Sequence, residues 1–519
     1  MCWRRRWTRH WRSGGQCSEG PPPPAGRPRR LASARRLRPA RAHASGSRAR
    51  WARANTLGSR EHVRLVGTGG SGEPSASPRA AVQRPRTPDE YAGRMPLTGL
   101  DLRRFPAALT ADGGPDSATA AWATAINAGF HEKEFTPEKL RDWAEHMVAD
   151  QRVLTAVVDS SAPEGLDGEG VPVGTYAAFP GALQVGRGRE LAAHLVSQVT
   201  VRPTHRRRGI LRAMITEDLR LAKEAGTPVA ALTASEASIY RRFGFGRSAF
   251  TRSIRVDTGP RFGLQTEPAG RVEVVSTSWL QPRIPEVFAA FQASTPGSLT
   301  RQSRYEANSV GTAPGETTPG LDVRSAVHLD DAGTLDGFVT YRAVGPEDDH
   351  TLEIVDLVAP NADAYLALWG YLGAIDLASA VTWDMAPVDD PLTWALRDAR
   401  VVQVRHVGDL IWLRVLDVAA AFSARPWTAD ETVVVDVTDG LGLVGGRYRI
   451  TAEGGSGTVE NTEDDAELSL DVADLGSLLL GSVRPSTLAR AGLARLVGDR
   501  ERVDRLFAPV ATPYCISFF

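Results

Sequence analysis

The order of apolar segments predicts an α/β chain whose strand-and-helix pattern runs twice and then gives way to an α+β domain. Three observations support this. Period-two strands alternate with helical periods between residues 100 and 256, the order loosely recurs over 257–415, and from Leu416 closely spaced strands precede three helical stretches. At 519 residues the chain also exceeds one ordinary domain, so two or three cores are expected.

In the first unit (95–256), helices are predicted over Ala118 to Ala128 and Pro137 to Ala149, the second entered through Thr136 with proline at its first position. Strands follow over Val153 to Asp159, Val173 to Phe179 and His194 to Val201, with a Gly/Asp/Glu loop at Ser160 to Gly170. A helix from Gly209 to Ala225 and strands at Val229 to Thr233 and Phe250 to Val256 complete the unit. The second unit (257–415) carries a helix over Pro285 to Ser294, a hairpin of Ser325 to His328 with Leu335 to Ala343, and a strand at Leu352 to Val358. A helix over Ala362 to Ala374 and a strand at Asp409 to Val415 close it. The third (416–519) reads as strands at Thr432 to Val437, Arg447 to Ala452, Gly457 to Asn461 and Ala466 to Val472, then helices.

Composition narrows the function. No stretch approaches the roughly 20 apolar residues of a membrane helix, so no membrane partner is expected. Cys2, Cys17 and Cys515 make no disulfide framework, which favours a reducing cytoplasm. The balanced charge hides a split: residues 1–94 hold 21 Arg and 5 acidic residues, leaving 40 basic and 56 acidic residues of the 61 of each sign for the rest. An acidic body attracts cations and repels nucleic acid. Residues 1–94, with Pro21 to Pro24 and Arg-Arg pairs, lack any apolar period and are expected to form no core. They resemble a transit peptide in composition, and a nucleic-acid-binding arm is another reading; translation starting at Met95 is the simplest.

The chemistry concentrates in Val199-Thr200-Val201-Arg202-Pro203-Thr204-His205-Arg206-Arg207-Arg208-Gly209-Ile210-Leu211-Arg212. A strand ends, a turn rich in arginine and holding a glycine follows, and a helix begins. Unpaired N–H groups and the positive helix end there suit a pyrophosphate, and Gly209 permits close backbone approach. Leu211, Ile215, Leu219 and Ala222 fall on one helix face, for packing on a sheet. Gly226 and Pro228 stop the helix. One helix and one strand further on comes Tyr240-Arg241-Arg242-Phe243-Gly244-Phe245, of the form Y-x-x-x-G-F. His194 and His205 have no partners at metal-ligand spacing, so no metal is expected.

These two stretches resemble the Gcn5-related N-acetyltransferase (GNAT) superfamily. Its acyl-CoA motif is Q/R-x-x-G-x-G/A: Arg206 and Gly209 match, whereas Leu211 stands where most members have glycine or alanine. The Eis subfamily is similar here, with R-R-R-G-x-L-R. The resemblance implies a tandem fold, a catalytic GNAT domain and a degenerate one, followed by a sterol-carrier-protein-like domain, assembled as a homohexamer. It implies acetyl-CoA as acyl donor and a small-molecule primary amine as acceptor, with aminoglycoside-like polycations among the candidates. The backbone of Val199, Thr200 and Val201 would pair with the pantetheine arm. Arg207, Arg208, Gly209, Ile210, Leu211 and Arg212 would hold the pyrophosphate, and Ser235 and Glu236 would also touch the cofactor. Tyr240 would be the general acid; a phenol stays protonated at pH 7 while a departing thiolate of pKa about 8–9 needs a proton.

The sequence ends Tyr514-Cys515-Ile516-Ser517-Phe518-Phe519, apolar and aromatic where termini are usually polar and loose. In Eis-type enzymes the terminal carboxylate is the general base, which places that role at Phe519. With a pKa of about 3.5 it is a weak base for an ammonium of about 8–10, so a water relay or a shifted pKa must help. By the same resemblance, Ser197 and Gln198 are expected to face the acceptor cleft. His131, Glu132 and Glu134 would either line an amine pocket or form a charged surface loop. The alternative to an enzyme is a non-catalytic acyl-CoA- or lipid-binding scaffold of the same fold.

Overall fold

The structure is a computed structural model that describes residues 98–163, 170–316, 318–346 and 349–519. The basic segment 1–94 and most of the 160–170 loop lie outside the described residues.

Twelve strands form one sheet. The first half of the chain supplies β1 (Leu100–Pro106), β2 (Val153–Asp159), β3 (Gly174–Gly186), β4 (Arg189–Val201), β5 (Val229–Thr233) and β6 (Gly246–Asp257). The second supplies β7 (Arg271–Val275), β8 (Val323–Leu329), β9 (Leu335–Val344), β10 (His350–Val358), β11 (Ala378–Pro387) and β12 (Val402–Val415). The spatial order is β1-β2-β3-β4-β5-β12-β6-β11-β10-β9-β8-β7. Read from both edges inward, the two halves match strand for strand until the centre. There the last strands are exchanged: β12 pairs with β5, and β6 pairs with β11. The sheet runs across the boundary expected at residue 256.

Only β4–β5 and β10–β11 are parallel in this sheet, and each needs a crossover. The helices Ile210–Glu224 and Ala362–Gly373 provide them. On the first, Ile215, Leu219 and Ala222 are buried as the spacing predicts, but Leu211 sits half-buried at the rim and Ile210 and Met214 take the inner position. The helix over Pro137–Ala149 is capped as predicted: the Thr136 side chain accepts from the Lys139 N–H. Trp143 of this helix stacks on Trp122 of Ser117–Gly129 at 5.8 Å between ring centroids.

Several segments differ from expectation. β3 and β4 are 13-residue strands joined in a hairpin, where the sequence predicts two short strands and a loop. Leu183, Val185, Leu191 and Ala193 of this extension are buried in a core shared with the third unit, but the glycines around them blur the alternation. β12 starts at Val402 rather than Asp409, because its exposed residues Gln403 to Val407 show no apolar period. β1, β7, β11 and, in the third unit, the strand Ala494–Leu496 have no counterpart among the predicted strands.

The third unit has the order β15 (Ser456–Asn461), β14 (Gly446–Glu453), β13 (Glu431–Thr438), β16 (Leu468–Asp471), β17 (Ala494–Leu496). Its helix Val472–Leu479 lies directly on the exchanged strands β6 and β12. A Cβ at Gly246 would come within 1.7 Å of the Ala473 oxygen, and one at Gly476 within 2.3 Å of the Leu413 oxygen. Arg241 holds the same helix through both oxygens of the buried Asp474, at 2.8 and 2.6 Å. The last residues then leave this unit and run back to the first.

Candidate active site

The site forms where β4 leaves β5. Their parallel pairing spans only Ala193 to Val196 against Val229 to Leu232. In the ladder to β3, Ser197 faces Ala177 but Thr200 faces Thr175, so Gln198 and Val199 oppose Tyr176 alone. This is a β-bulge, with Gln198 at φ 53°. Past it, β5 ends at Thr233, and the β5-side edge of Val199 to Val201 is not paired to β5. Such an edge can accept an extended amide-bearing arm as an added strand.

The open edge leads to the N-terminus of Ile210–Glu224. Arg207 and Gly209 both have left-handed backbones, φ 67° and 82°, and Gly209 offers the helix no side-chain cap. The first helical N–H groups therefore face outward as an anion-binding end. Arg206, Arg207, Arg208 and Arg212 are exposed around it. Arg208 is partly engaged: its guanidinium lies 3.5 Å from Asp159, which also meets His205 Nε2 at 2.8 Å. Hydrogen bonds from the Ser161 hydroxyl and His205 hold the Asp159 carboxyl well below the usual range.

Tyr240 sits at the end of the short helix Ala237–Tyr240, buried, with its ring edge-on to Phe245 at 6.3 Å. Burial, reinforced by the Glu236 carboxylate, pushes its phenol up to about 12. The proton stays on oxygen across the physiological range. Tyr176 lies in the same apolar cluster; its hydroxyl donates to the buried Asp218 at 2.7 Å, and Asp218 also meets His194 at 2.5 Å and Arg104 at 3.0 Å.

From the other side comes Phe519. Thr233 Oγ1, at the end of β5, donates to its backbone oxygen at 2.5 Å. Its ring packs edge-on to Phe179 at 5.7 Å, and the Arg152 guanidinium covers Phe179 at 4.1 Å. The final residues of the sequence thus meet the first unit at the mouth of the β4/β5 opening.

Comparison with known proteins gives the family. Residues 115–248 and 297–415 each match an acetyltransferase (GNAT) domain family, and residues 418–516 match a sterol carrier protein domain family. The chain is 35% identical over 417 residues to an uncharacterized N-acetyltransferase of Streptomyces griseus, covering 78% of this chain and 98% of that protein. It is 33% identical over 332 residues to the N-acetyltransferase Eis of Mycobacterium tuberculosis, covering 62% of this chain and 79% of that one. The crystal structure of Eis1 from Mycobacterium abscessus superposes with a TM-score of 0.66 at 27% identity, over 81% of this chain and 100% of that chain. The chain belongs to the Eis-type N-acetyltransferases of the GNAT superfamily. As an Eis-type enzyme it is an acetyl-CoA-dependent acyltransferase built of two GNAT domains and a sterol-carrier-protein-like domain.

In this Eis-type chain the predicted residues divide by position. Val199 to Val201 form the unpaired edge, Arg207 to Arg212 the turn and helix start beyond it, Tyr240 lies in the apolar cluster against which Val199 and Val201 pack, and Ser235 and Glu236 occupy the exposed loop that follows β5. Ser197 is buried and Gln198 forms the bulge, its amide oxygen 3.5 Å from Arg152. Glu132 is half-buried, while His131 and Glu134 are exposed in the link between two helices. Among the described residues, no group of His, Cys, Asp and Glu is placed to hold a metal, and no helix is long and apolar enough to cross a membrane. The motifs pointed to none of Thr233, Phe179, Arg152, Gln302 or Tyr305. These residues come from four separate segments, and only the fold gathers them.

Proposed function

We propose that this enzyme transfers the acetyl group of acetyl-CoA to a primary amine by direct attack. The β4 edge at Val199 to Val201 pairs with the pantetheine arm, and the left-handed turn with Arg207 to Arg212 takes the pyrophosphate. The Ser235–Glu236 loop borders the cofactor. The amine nitrogen attacks the thioester carbonyl, and its proton passes, through water where needed, to the α-carboxylate of Phe519. The C–S bond breaks, Tyr240 gives the departing sulfur a proton, and N-acetyl amine and CoA leave. One observation carries this reading: Thr233 bonds the backbone oxygen of Phe519 beside the opening where the acyl arm would enter. That bond fixes the position of the carboxylate at the end of β5.

A polycationic acceptor of the aminoglycoside kind suits a body with 56 acidic against 40 basic residues. Homohexamer assembly and cytoplasmic residence belong to the same proposal. The test is thiol release from acetyl-CoA with a panel of amines. Turnover rising with the number of amines on the acceptor supports the reading, and no turnover with any amine contradicts it in favour of a non-catalytic scaffold.

A further inference from the structure

The tail that reaches the active site is held almost entirely by the second GNAT domain. Each contact is specific. The Tyr514 N–H donates to the Pro296 oxygen at 2.8 Å, and the Tyr514 hydroxyl donates to the Met385 oxygen on β11 at 2.5 Å. Ser517 Oγ donates to the Leu299 oxygen at 3.3 Å. The Tyr305 hydroxyl donates to the Ile516 oxygen at 2.7 Å and accepts the Phe518 N–H at 3.2 Å. Gln302 Nε2 donates to the Phe518 oxygen at 3.1 Å.

The clamp is itself anchored. Tyr305 is fully packed, with the Arg301 guanidinium 4.1 Å from its ring centroid. Arg301 forms a buried two-point pair with Asp356, both contacts 2.9 Å, and Ser309 donates to Asp356 at 2.6 Å. Asp356 lies just past a bulge in β10, where the ladder to β9 gains one residue after Ile354. That bulge corresponds in topology to the one at Gln198. Beyond Glu353 and Thr382, β10 and β11 part. Tyr514 lines the cavity of about 320 Å³ between their ends, together with Leu357 and Trp383. The strand opening that receives an acyl arm in one domain receives the chain's own tail in the other.

We propose that the second GNAT domain is a clamp that places the Phe519 carboxylate, with Tyr305 and Gln302 as its positioning residues. This rests on the carboxylate being the base. A misplacement of about 1 Å can lower a rate by about 10²-fold, so loss of the Tyr305 hydroxyl is expected to lower kcat by about 10–10²-fold with the KM for acetyl-CoA unchanged.

A double-mutant cycle on the full chain tests it, combining Tyr305→Phe with one alanine added after Phe519. If Tyr305 acts through the carboxylate, its substitution costs little once the added residue has displaced that group. Equal losses in both backgrounds would show that Tyr305 is merely structural and overturn the clamp. An added residue that leaves kcat unchanged would overturn the base itself, and the clamp with it. A crippling extension beside a harmless Tyr305→Phe would overturn the clamp alone. Should Tyr305→Phe fail to fold, Gln302→Ala, at a half-buried position, runs the same cycle.

Discussion

The two GNAT domains share a strand order, a parallel pair with a helical crossover, and a bulge in the fourth strand, yet they differ at the two places where the proposed donor site lies. The differences are few and local. In the first domain the crossover helix begins at Gly209, left-handed and without a side-chain cap, amid exposed arginines. In the second it begins after Pro360-Asn361, and the Asn361 side chain accepts from the Ala364 N–H at 2.8 Å. The helix end that would meet a phosphate satisfies itself. What separates the two domains is therefore not the sheet but whether the helix terminus is left open and the strand opening left empty.

The helix terminus of the first domain is where a substitution is expected to act most strongly. Gly209→Glu puts a carboxylate on a left-handed backbone at the anion-binding end. It is expected to abolish acetyl-CoA binding by calorimetry while the protein keeps its circular dichroism spectrum. Unchanged affinity in a folded variant would show that the helix end is not the phosphate site.

Tyr240→Phe should be next, lowering kcat by about 10²–10⁴-fold with cofactor affinity kept. Its pH dependence sharpens the point. A general acid works while protonated, and the Tyr240 phenol is pushed up to about 12. The wild-type rate is therefore expected to hold from about pH 9 to about pH 10.5, where an ordinary tyrosine of pKa about 10 would already be losing its proton. A fall centred near pH 10 would count against burial of the acid.

The smallest effect belongs to the second domain. Asn361→Ala removes a cap and should lower stability by about 1 kcal/mol in a denaturation series, with acetyl-CoA affinity unaltered. A change in that affinity would mean that the second domain takes part in donor binding.

Much of the fold was legible because its cues are local. The Gly209 turn and the Tyr240 helix follow from residues within a few positions of one another, and the helical period of 210–224 needs only its own side chains. The strand exchange was not legible. Nothing in the composition of β6 or β12 says which parallel pair each will complete, and the exposed start of β12 carries no apolar alternation. Thr233 bonds Phe519 across 286 residues, and Tyr305 meets Phe518 across 213. Neither end of such a contact carries a mark in sequence, so the aromatic run at Tyr514 to Phe519 signals burial but not its partner. Asp218 was missed for a different reason: it is a buried carboxylate on an otherwise apolar helix face, satisfied by Tyr176, His194 and Arg104.

The proposed chemistry needs a base supplied by the third unit to the first. Amidating Phe519 by semisynthesis removes its charge while leaving the ring against Phe179 and every clamp contact in place. The amidated enzyme, assayed by thiol release at about pH 8 with saturating acetyl-CoA, is expected to bind donor normally and lose about 10²–10⁴-fold in kcat. Turnover within a few-fold of the unmodified enzyme would contradict the account and move the search for the base to a side chain of the first domain.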